Sequence, residues 1–134
     1  RVGRLPPEFF LDRNLGTRIV PGLLRDGGWN VTTLSDVYGE HHGQSIADDE
    51  WLEYAGRRGL TVLMKDKRIR YRSNELEALI RHKVVAFCLV QGTLDGPTQA
   101  RVFLSHRRRI EALSETARPT LYMVSRSAVR RCEI

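Results

Sequence analysis

The sequence predicts an α/β fold, a three-layer α/β/α sandwich with a mostly parallel central sheet. Short apolar runs alternate along the chain with segments of helical periodicity, and the connections between them are short, which is the pattern of parallel sheets. The run from Val84 to Val90 is apolar throughout, as expected of a central strand that is buried on both faces. Because 134 residues is the length of one ordinary domain, we expect a single domain over residues 1–134.

From the N-terminus, the pattern predicts an extended lead-in, a strand, a helix and a second strand, over residues 1–7, 9–11, 15–25 and 29–34. The lead-in is basic and contains proline, the first strand is apolar and stops at Asp12, and the second strand alternates with β-branched residues. Gly27 and Gly28 end the helix as a C-terminal cap, and Asn14 is a candidate for its N-cap. Pro21 predicts either a kink or a helix that begins there.

The middle of the chain predicts a loop, a helix, a strand, a second helix and the buried central strand, over residues 35–47, 48–58, 60–64, 73–82 and 84–90. The loop is rich in Gly, His and Ser. Acids occupy the first turn of the first helix, Arg57 and Arg58 its last turn, and Gly59 follows, which matches the helix macrodipole and a glycine cap. Ser73 and Glu75 mark the start of the second helix.

The last third predicts a turn, a long basic helix and two strands, over residues 92–97, 98–114, 121–124 and 128–134. The helix carries Val102, Phe103, Ile110 and Leu113 as an apolar stripe. Glycine-rich phosphate-binding loops are absent from the sequence, which excludes the commonest nucleotide-binding sites of this architecture.

The chain is strongly basic, with a net charge of +6, a pI near 9.9 and 19 arginines. Arginine forms planar, bidentate contacts with phosphate, so this balance favours a polyanionic partner, most simply nucleic acid. The densest cationic run is Arg107-Arg108-Arg109, which we expect to bind RNA phosphates or an acidic protein partner. The alternative for this run is a solvated helix face. The alternative explanation of the arginine content is a GC-rich genome that uses arginine where others use lysine.

The cysteines and the apolar runs predict a cytoplasmic protein. Cys88 lies inside the central apolar run, which favours a core thiol in a reducing compartment, and Cys132 is too distant to form a zinc-binding spacing with it. The longest apolar run has seven residues, against the about 20 that a membrane-spanning helix needs. We therefore expect no membrane segment.

Acidic residues follow two predicted strands and begin one predicted helix. Asp12 and Asp66 each follow a strand, and Asp48-Asp49-Glu50 begins a helix. Sites in open parallel sheets form at the carboxyl ends of the strands, so these carboxylates are expected at one edge, where they repel unless a divalent cation neutralises them. Oxygen ligands without cysteine suit Mg²⁺ or Mn²⁺, which can activate a phosphodiester.

Each of these acids also has a structural explanation. Asp12 can simply end a strand, Asp48 can be an N-cap, and Asp66, between two lysines, can be a solvated loop charge. The spacing of the three at strand ends favours a site over any one residue taken alone.

Four segments in order resemble the PIN-like domain of VapC-type toxins, over about residues 8 to 90. They are Phe10-Leu11-Asp12-Arg13-Asn14-Leu15, the glycine-containing passage at 23–31, the acidic helix start at 47–55, and the strand at 59–66 that ends in Lys65-Asp66. The resemblance implies a metal-dependent endoribonuclease of this fold, a hydrolase that is the toxin of a type II toxin–antitoxin pair. It also implies RNA as substrate and a cognate antitoxin protein as partner, and because relatives commonly dimerise, a homodimer is an open expectation.

By position, the resemblance implies that Asp12, Asp48 and Asp66 are the catalytic, metal-binding acids for Mg²⁺ or Mn²⁺. Asp49 is the alternative to Asp48 as the second of these acids, and Asn14 and Lys65 are supporting residues.

The chain departs from the family pattern just after Asp66. Many relatives have another acid there, where this chain has Lys67-Arg68-Ile69, so the fourth acidic ligand is unassigned. Asp95 is a candidate by default, although its Leu-Asp-Gly-Pro setting favours a turn. The alternative function is therefore a catalytically inactive PIN-like module that binds RNA or protein.

Overall fold

The computed structural model describes residues 7–66, 68–69, 73–90 and 93–134, and within them it contains six strands and seven helices. The strands are β1 (Glu8–Leu11), β2 (Asn30–Thr33), β3 (Thr61–Lys65), β4 (Val85–Leu89), β5 (Thr120–Val124) and β6 (Val129–Cys132). The helices are α1 (Ile19–Asp26), α2 (Leu34–Tyr38), α3 (Glu40–Gly43), α4 (Asp48–Arg58), α5 (Ser73–Arg81), α6 (Gly96–Ser105) and α7 (Arg107–Leu113). A 3₁₀ turn, Arg13–Leu15, follows β1. Residues 1–6 of the predicted lead-in lie outside the described residues.

The strands form one sheet in the order β2-β1-β3-β4-β5-β6. All neighbouring pairs are parallel except β5 and β6, which are antiparallel. Leu11 of β1 lies opposite Leu63 of β3 in the register. Because parallel strands end at the same edge, the residues that follow β1 and β3 meet there.

Helices cover both faces of the sheet, because its inner strands are apolar on both sides. Successive side chains of a strand point to opposite faces. Phe9 and Leu11 pack with residues of α1, α6 and α7, whereas Phe10 packs with residues of α2, α4 and α5. The predicted three-layer α/β/α sandwich with a mostly parallel sheet is thus confirmed. None of the described helices is long and apolar enough to span a membrane.

Helix α4 follows its sequence signals closely. Its first turn contains three acids, and its last turn contains Arg57 and Arg58. Gly59 caps it with φ of +66°, a left-handed conformation that is strained for residues with a Cβ. The other central elements, β3, α5 and β4, lie within a residue or two of their predicted bounds.

The predicted loop at 35–47 is wrong, because α2 and α3 occupy most of it. The Thr33 hydroxyl accepts a hydrogen bond from the Asp36 backbone N–H at 3.1 Å, and the Asp36 carboxylate accepts one from the Thr33 N–H at 2.9 Å. This reciprocal capping box satisfies backbone donors that would otherwise be unpaired and starts α2.

Two predicted helices have different bounds. The first begins at Ile19, so Pro21 falls in the first turn, where its missing N–H removes no helical hydrogen bond. Asn14 lies in the 3₁₀ turn and does not cap α1, whose start has no side-chain cap. The long helix predicted over 98–114 is broken at His106 into α6 and α7, and the His106 ring lies 2.8 Å from a carbonyl oxygen in the β5–β6 connection.

Candidate functional site

Asp12 follows β1 directly and is almost completely buried, with 2% of its surface exposed. Its backbone N–H donates to the Leu63 carbonyl at 3.0 Å, which holds the end of β1 against β3. The chain then enters the 3₁₀ turn, and the backbone N–H groups of Arg13 and Asn14 donate to the Asp12 carboxylate. This acid therefore lies at the edge of the sheet where parallel strands form sites.

Asp48 is the first residue of α4, behind Ala47 at the N-cap position. It is therefore not the N-cap that the structural explanation proposed, and its carboxylate has other partners. The indole N–H of Trp51 donates to Asp48 Oδ1 at 3.0 Å, and Arg13 Nη1 lies 3.5 Å from the same oxygen. A buried indole and a guanidinium thus fix the direction of this carboxylate.

Asp12 and Asp48 interact electrostatically. Burial and, next, the neighbouring charge of Asp48 raise the pKa of Asp12, the Arg13 charge and the backbone donors oppose them, and the net result is a pKa of about 6. A divalent cation would relieve the cost of a buried carboxylate beside a second negative charge.

Asp66 follows β3 at the same edge of the sheet. Its backbone N–H donates to the Leu89 carbonyl at 3.2 Å, and its Oδ1 accepts from the Arg68 N–H at 2.8 Å. The Asn14 side chain donates to the Lys65 carbonyl at 3.3 Å, so it ties the turn behind Asp12 to the end of the strand before Asp66.

Asp49 points to different partners from those of Asp48. Its Oδ1 lies 2.9 Å from His82 Nε2 and also pairs with Arg81, both at the end of α5. The hydrogen bond from His82, opposed in part by desolvation and helped by Arg81, lowers the pKa of Asp49. Of the two rivals, Asp48 is the one whose charge acts on Asp12.

The default candidate for a fourth acid, Asp95, is a helix cap. It is the N-cap residue of α6, and its carboxylate accepts from the Thr98 N–H at 2.9 Å. This hydrogen bond gives Asp95 a structural role at a turn into a helix, which agrees with the turn that its sequence setting favours.

The sequence indicates Glu75 only as a residue that marks the start of a helix. It is 6% exposed, although it lies in the first turn of α5. Burial raises the pKa of the Cys88 thiol on β4, and the charges of Asp66, Glu75 and Asp12 add to the effect, so all three carboxylates lie within electrostatic range of one buried group. The polar character of a first helical turn gave no sign of this burial.

The arginine run opens α7 on the same face of the sheet as α1 and α6. Arg107 Nε lies 3.7 Å from a Glu111 carboxylate oxygen, Arg109 donates to the Val129 carbonyl at 3.5 Å, and Arg108 is exposed. These contacts involve none of the three predicted acids.

The chemistry of the donors fits a hard divalent cation. Among the described residues, no three side chains of His, Cys, Asp or Glu come close enough together to form a metal site by themselves. Mg²⁺, however, usually keeps several water ligands and is bound through one or two carboxylates. The buried Asp12 carboxyl beside Asp48 satisfies that requirement.

Open grooves adjoin the acids on both sides of the sheet. One, of about 320 Å³, includes Asn14, Thr17, Arg18, Lys65 and Gln99 in its lining. The other, of about 360 Å³, is lined by residues of α4 and α5 and is mainly acidic, with Asp48, Asp49 and Glu77 against Arg81.

Comparison with known proteins gives a consistent result. The family model described as "PIN like domain" matches residues 7–91. The curated Mycobacterium tuberculosis protein named "Putative ribonuclease VapC45" is 30% identical over 124 residues, which cover 92% of this chain and 90% of that protein. No solved structure matches.

Proposed function

The chain belongs to the PIN-like domain family, and from its site we propose that it is a metal-dependent endoribonuclease and the toxin of a toxin–antitoxin pair. The observation that carries the proposal is the buried Asp12 carboxyl beside Asp48 at the carboxyl edge of the sheet. The name of the mycobacterial relative, "Putative ribonuclease VapC45", supports RNA as substrate. The toxin role and the antitoxin partner rest on the resemblance to VapC-type toxins.

In this proposal Asp12, Asp48 and Asp66 hold Mg²⁺ or Mn²⁺ together with water ligands, because the described acids do not come close enough to form a site by themselves. The bound cation supplies Lewis-acid activation of the phosphodiester and of the attacking water. Asn14 and Lys65 keep the turn behind Asp12 against the end of β3 through their side-chain-to-carbonyl hydrogen bond. Asp49 is left out of the set, because its carboxylate pairs with Arg81 and lies 2.9 Å from the His82 ring nitrogen.

Glu75 is the fourth acid of the proposed site, which the sequence left unassigned. Its burial and its electrostatic proximity to the same thiol as Asp12 and Asp66 support this assignment.

The groove lined by Asn14, Arg18 and Lys65 supports a single-stranded substrate. A strand that enters this groove would contact Arg18 and Lys65, which are cations suited to phosphate. The groove between α4 and α5 is predominantly acidic, and its Arg81 already pairs with Asp49. Base edges are accessible in single strands but lie deep in the major groove of A-form duplexes.

The domain and compartment proposals follow from the same fold. One sheet carries the cores on both of its faces, which supports a single PIN-like domain over residues 1–134. Both cysteines are free, and Cys88 is buried, which supports a reducing, cytoplasmic setting.

The test is cleavage of a fluorescently labelled single-stranded RNA of mixed sequence, with Mn²⁺, with Mg²⁺ and with EDTA. Asp12→Asn removes a charged ligand while keeping the shape of the side chain, so we expect cleavage to fall by about 100-fold or more. EDTA should abolish wild-type cleavage.

The matched control is Asp95→Asn. Asparagine caps helices as well as aspartate does, so this variant should cleave like the wild type. Cleavage that persists at the wild-type rate in Asp12→Asn would refute the assignment. Wild-type protein that binds the RNA without cleaving it would support the inactive binding module instead.

A further inference from the structure

The Arg13 side chain contacts three residues of the segment that leads into and begins α4. Its Nε donates to the Gly43 carbonyl at 3.4 Å, one Nη donates to the Ile46 carbonyl, and the other lies 3.5 Å from Asp48 Oδ1. Each nitrogen of the guanidinium therefore has a different partner, which only a planar side chain with several donors can provide.

These contacts fix the segment that leads into α4. Ile46 is 4% exposed, with its side chain in the core formed by α2, α4 and α5, while its carbonyl is held by Arg13. Asp48 follows two residues later, so both the backbone before it and its own carboxylate are held by the same guanidinium. The Arg13 backbone N–H in turn donates to the Asp12 carboxylate.

We propose that Arg13 is a positioning residue that places Asp48 beside Asp12 before the metal binds, an inference that rests on the proposed function. The arginine forms part of the turn that carries one acid and holds the other acid through its side chain. Its positive charge also offsets the repulsion between the two carboxylates in the metal-free protein. Neighbours that orient metal ligands in this way typically change metal affinity by about 10- to 100-fold when removed.

The first experiment measures Mn²⁺ affinity by isothermal titration calorimetry on the full chain. Arg13→Met should weaken binding by about 10- to 100-fold. The Mn²⁺ affinity of Arg13→Lys should lie between those of the wild type and Arg13→Met, because lysine keeps the charge but cannot bind three partners. The matched control is Arg25→Met, since Arg25 likewise holds a carbonyl and a carboxylate, those of Val31 and Asp36, away from the acids. It should bind Mn²⁺ like the wild type.

The second experiment reads the position of Asp48 without metal. In a Trp29→Phe background, Trp51 is the remaining tryptophan, and its indole donates to Asp48. Arg13→Met should change Trp51 emission towards that of Asp48→Ala, and it should cause no further change once Asp48 is alanine. A merely structural role for Arg13 would change the emission equally in both backgrounds.

The two experiments separate the possible failures. If the wild type binds Mn²⁺, an affinity of Arg13→Met within twofold of it, or a higher one, overturns the inference. If the wild type binds no Mn²⁺, the proposed function fails, and the Trp51 emission alone decides whether Arg13 positions Asp48. Should Arg13→Met not fold, Arg13→Lys is judged by the same criteria.

Discussion

Asp12 combines burial with a neighbouring negative charge. Its pKa of about 6 means that the folded protein favours the neutral carboxyl more than the unfolded chain does, where the pKa is near 3.8. Ionisation of Asp12 therefore opposes folding. Its contribution to stability is fully present below pH 3.8 and is lost as the pH rises through about 6.

We expect Asp12→Asn to stabilise the metal-free protein at neutral pH. With EDTA present, the variant and the wild type should have similar free energies of unfolding below pH 4, and above pH 6 the variant should be more stable by on the order of 3 kcal/mol. Added Mn²⁺ should reverse the order, because a ligand stabilises the protein that binds it. Urea unfolding at stepped pH measures both effects.

Asp95→Asn should have the opposite effect on how the free energy of unfolding depends on pH. Its hydrogen bonds to Thr98 lower the pKa of Asp95, so its contribution to stability is present above the unfolded pKa and is lost as the pH falls. A wild type that gains stability between pH 4 and 7 relative to Asp12→Asn would contradict the assignment of a raised pKa to Asp12.

At the residue scale, the sequence identified acids that follow strands and missed residues that depend on tertiary contacts. Asp12 was predictable because its position follows from a local apolar run and the rule for parallel sheets. The contacts of Arg13 join residues 30 and more positions apart, and no local pattern encodes them. The burial of Glu75 depends in the same way on how α5 packs on the sheet.

Helices α4 and α5 approach each other very closely at Gly56. A Cβ built there would lie 2.1 Å from the His82 carbonyl oxygen, which no packing adjustment short of backbone movement can relieve. The pairing of Asp49 with Arg81 and His82 joins the same two helices. Gly56 therefore sets the distance between the helix that carries Asp48 and its neighbour.

Gly56→Ala should lower the free energy of unfolding by about 1–3 kcal/mol, because the new methyl group forces the helices apart. Gly22→Ala is the matched control, since Gly22 lies inside α1 with nothing within 4 Å of its built Cβ. That variant should be neutral or up to about 1 kcal/mol more stable, owing to the higher helix propensity of alanine. Urea denaturation compares the two, and equal losses in both would contradict a specific close approach at Gly56.

At the element scale, the sequence predicted the helices that have strong local end signals. It did not predict helix boundaries that depend on tertiary contacts. Helix α4 has acids, arginines and a glycine in the expected places. Helix α2 has a capping box with aspartate in place of the usual glutamate or glutamine, and it lies among residues typical of loops. The break at His106 has no glycine or proline to mark it, and it coincides with the contact between that ring and the β5–β6 connection.

At the scale of the whole molecule, the sheet order brings the site together. β1 lies between β2 and β3, so residues more than 50 positions apart, Asp12 and Asp66, follow adjacent parallel strands. Alternation of strands and helices predicted this class of sheet, but the order of the strands and the reversed direction of β6 depend on which faces pack together. The closeness of Asp48 to Asp12 further requires α4 to begin at that same edge.

The net charge of +6 acts over the whole molecule, whereas the run Arg107-Arg108-Arg109 concentrates part of it on α7. Phosphate contacts release counterions, so each phosphate neutralised on a single strand contributes about 0.7 to the slope of log affinity against log salt. Replacing the three arginines by glutamine should weaken RNA binding and reduce that slope by up to about 2. Mn²⁺ affinity should stay unchanged, since the run contacts none of the proposed metal ligands.

The control for this last prediction is a variant with the same loss of charge elsewhere. Replacing the exposed Arg57, Arg130 and Arg131 by glutamine also lowers the net charge from +6 to +3. Fluorescence anisotropy of labelled single-stranded RNA over a range of salt concentrations compares the two triple variants in an Asp12→Asn background, which prevents cleavage. If the run on α7 binds RNA, its variant loses more slope than the control. Equal slopes would mean that only net charge matters, and loss of antitoxin binding without loss of slope would assign this face to the protein partner.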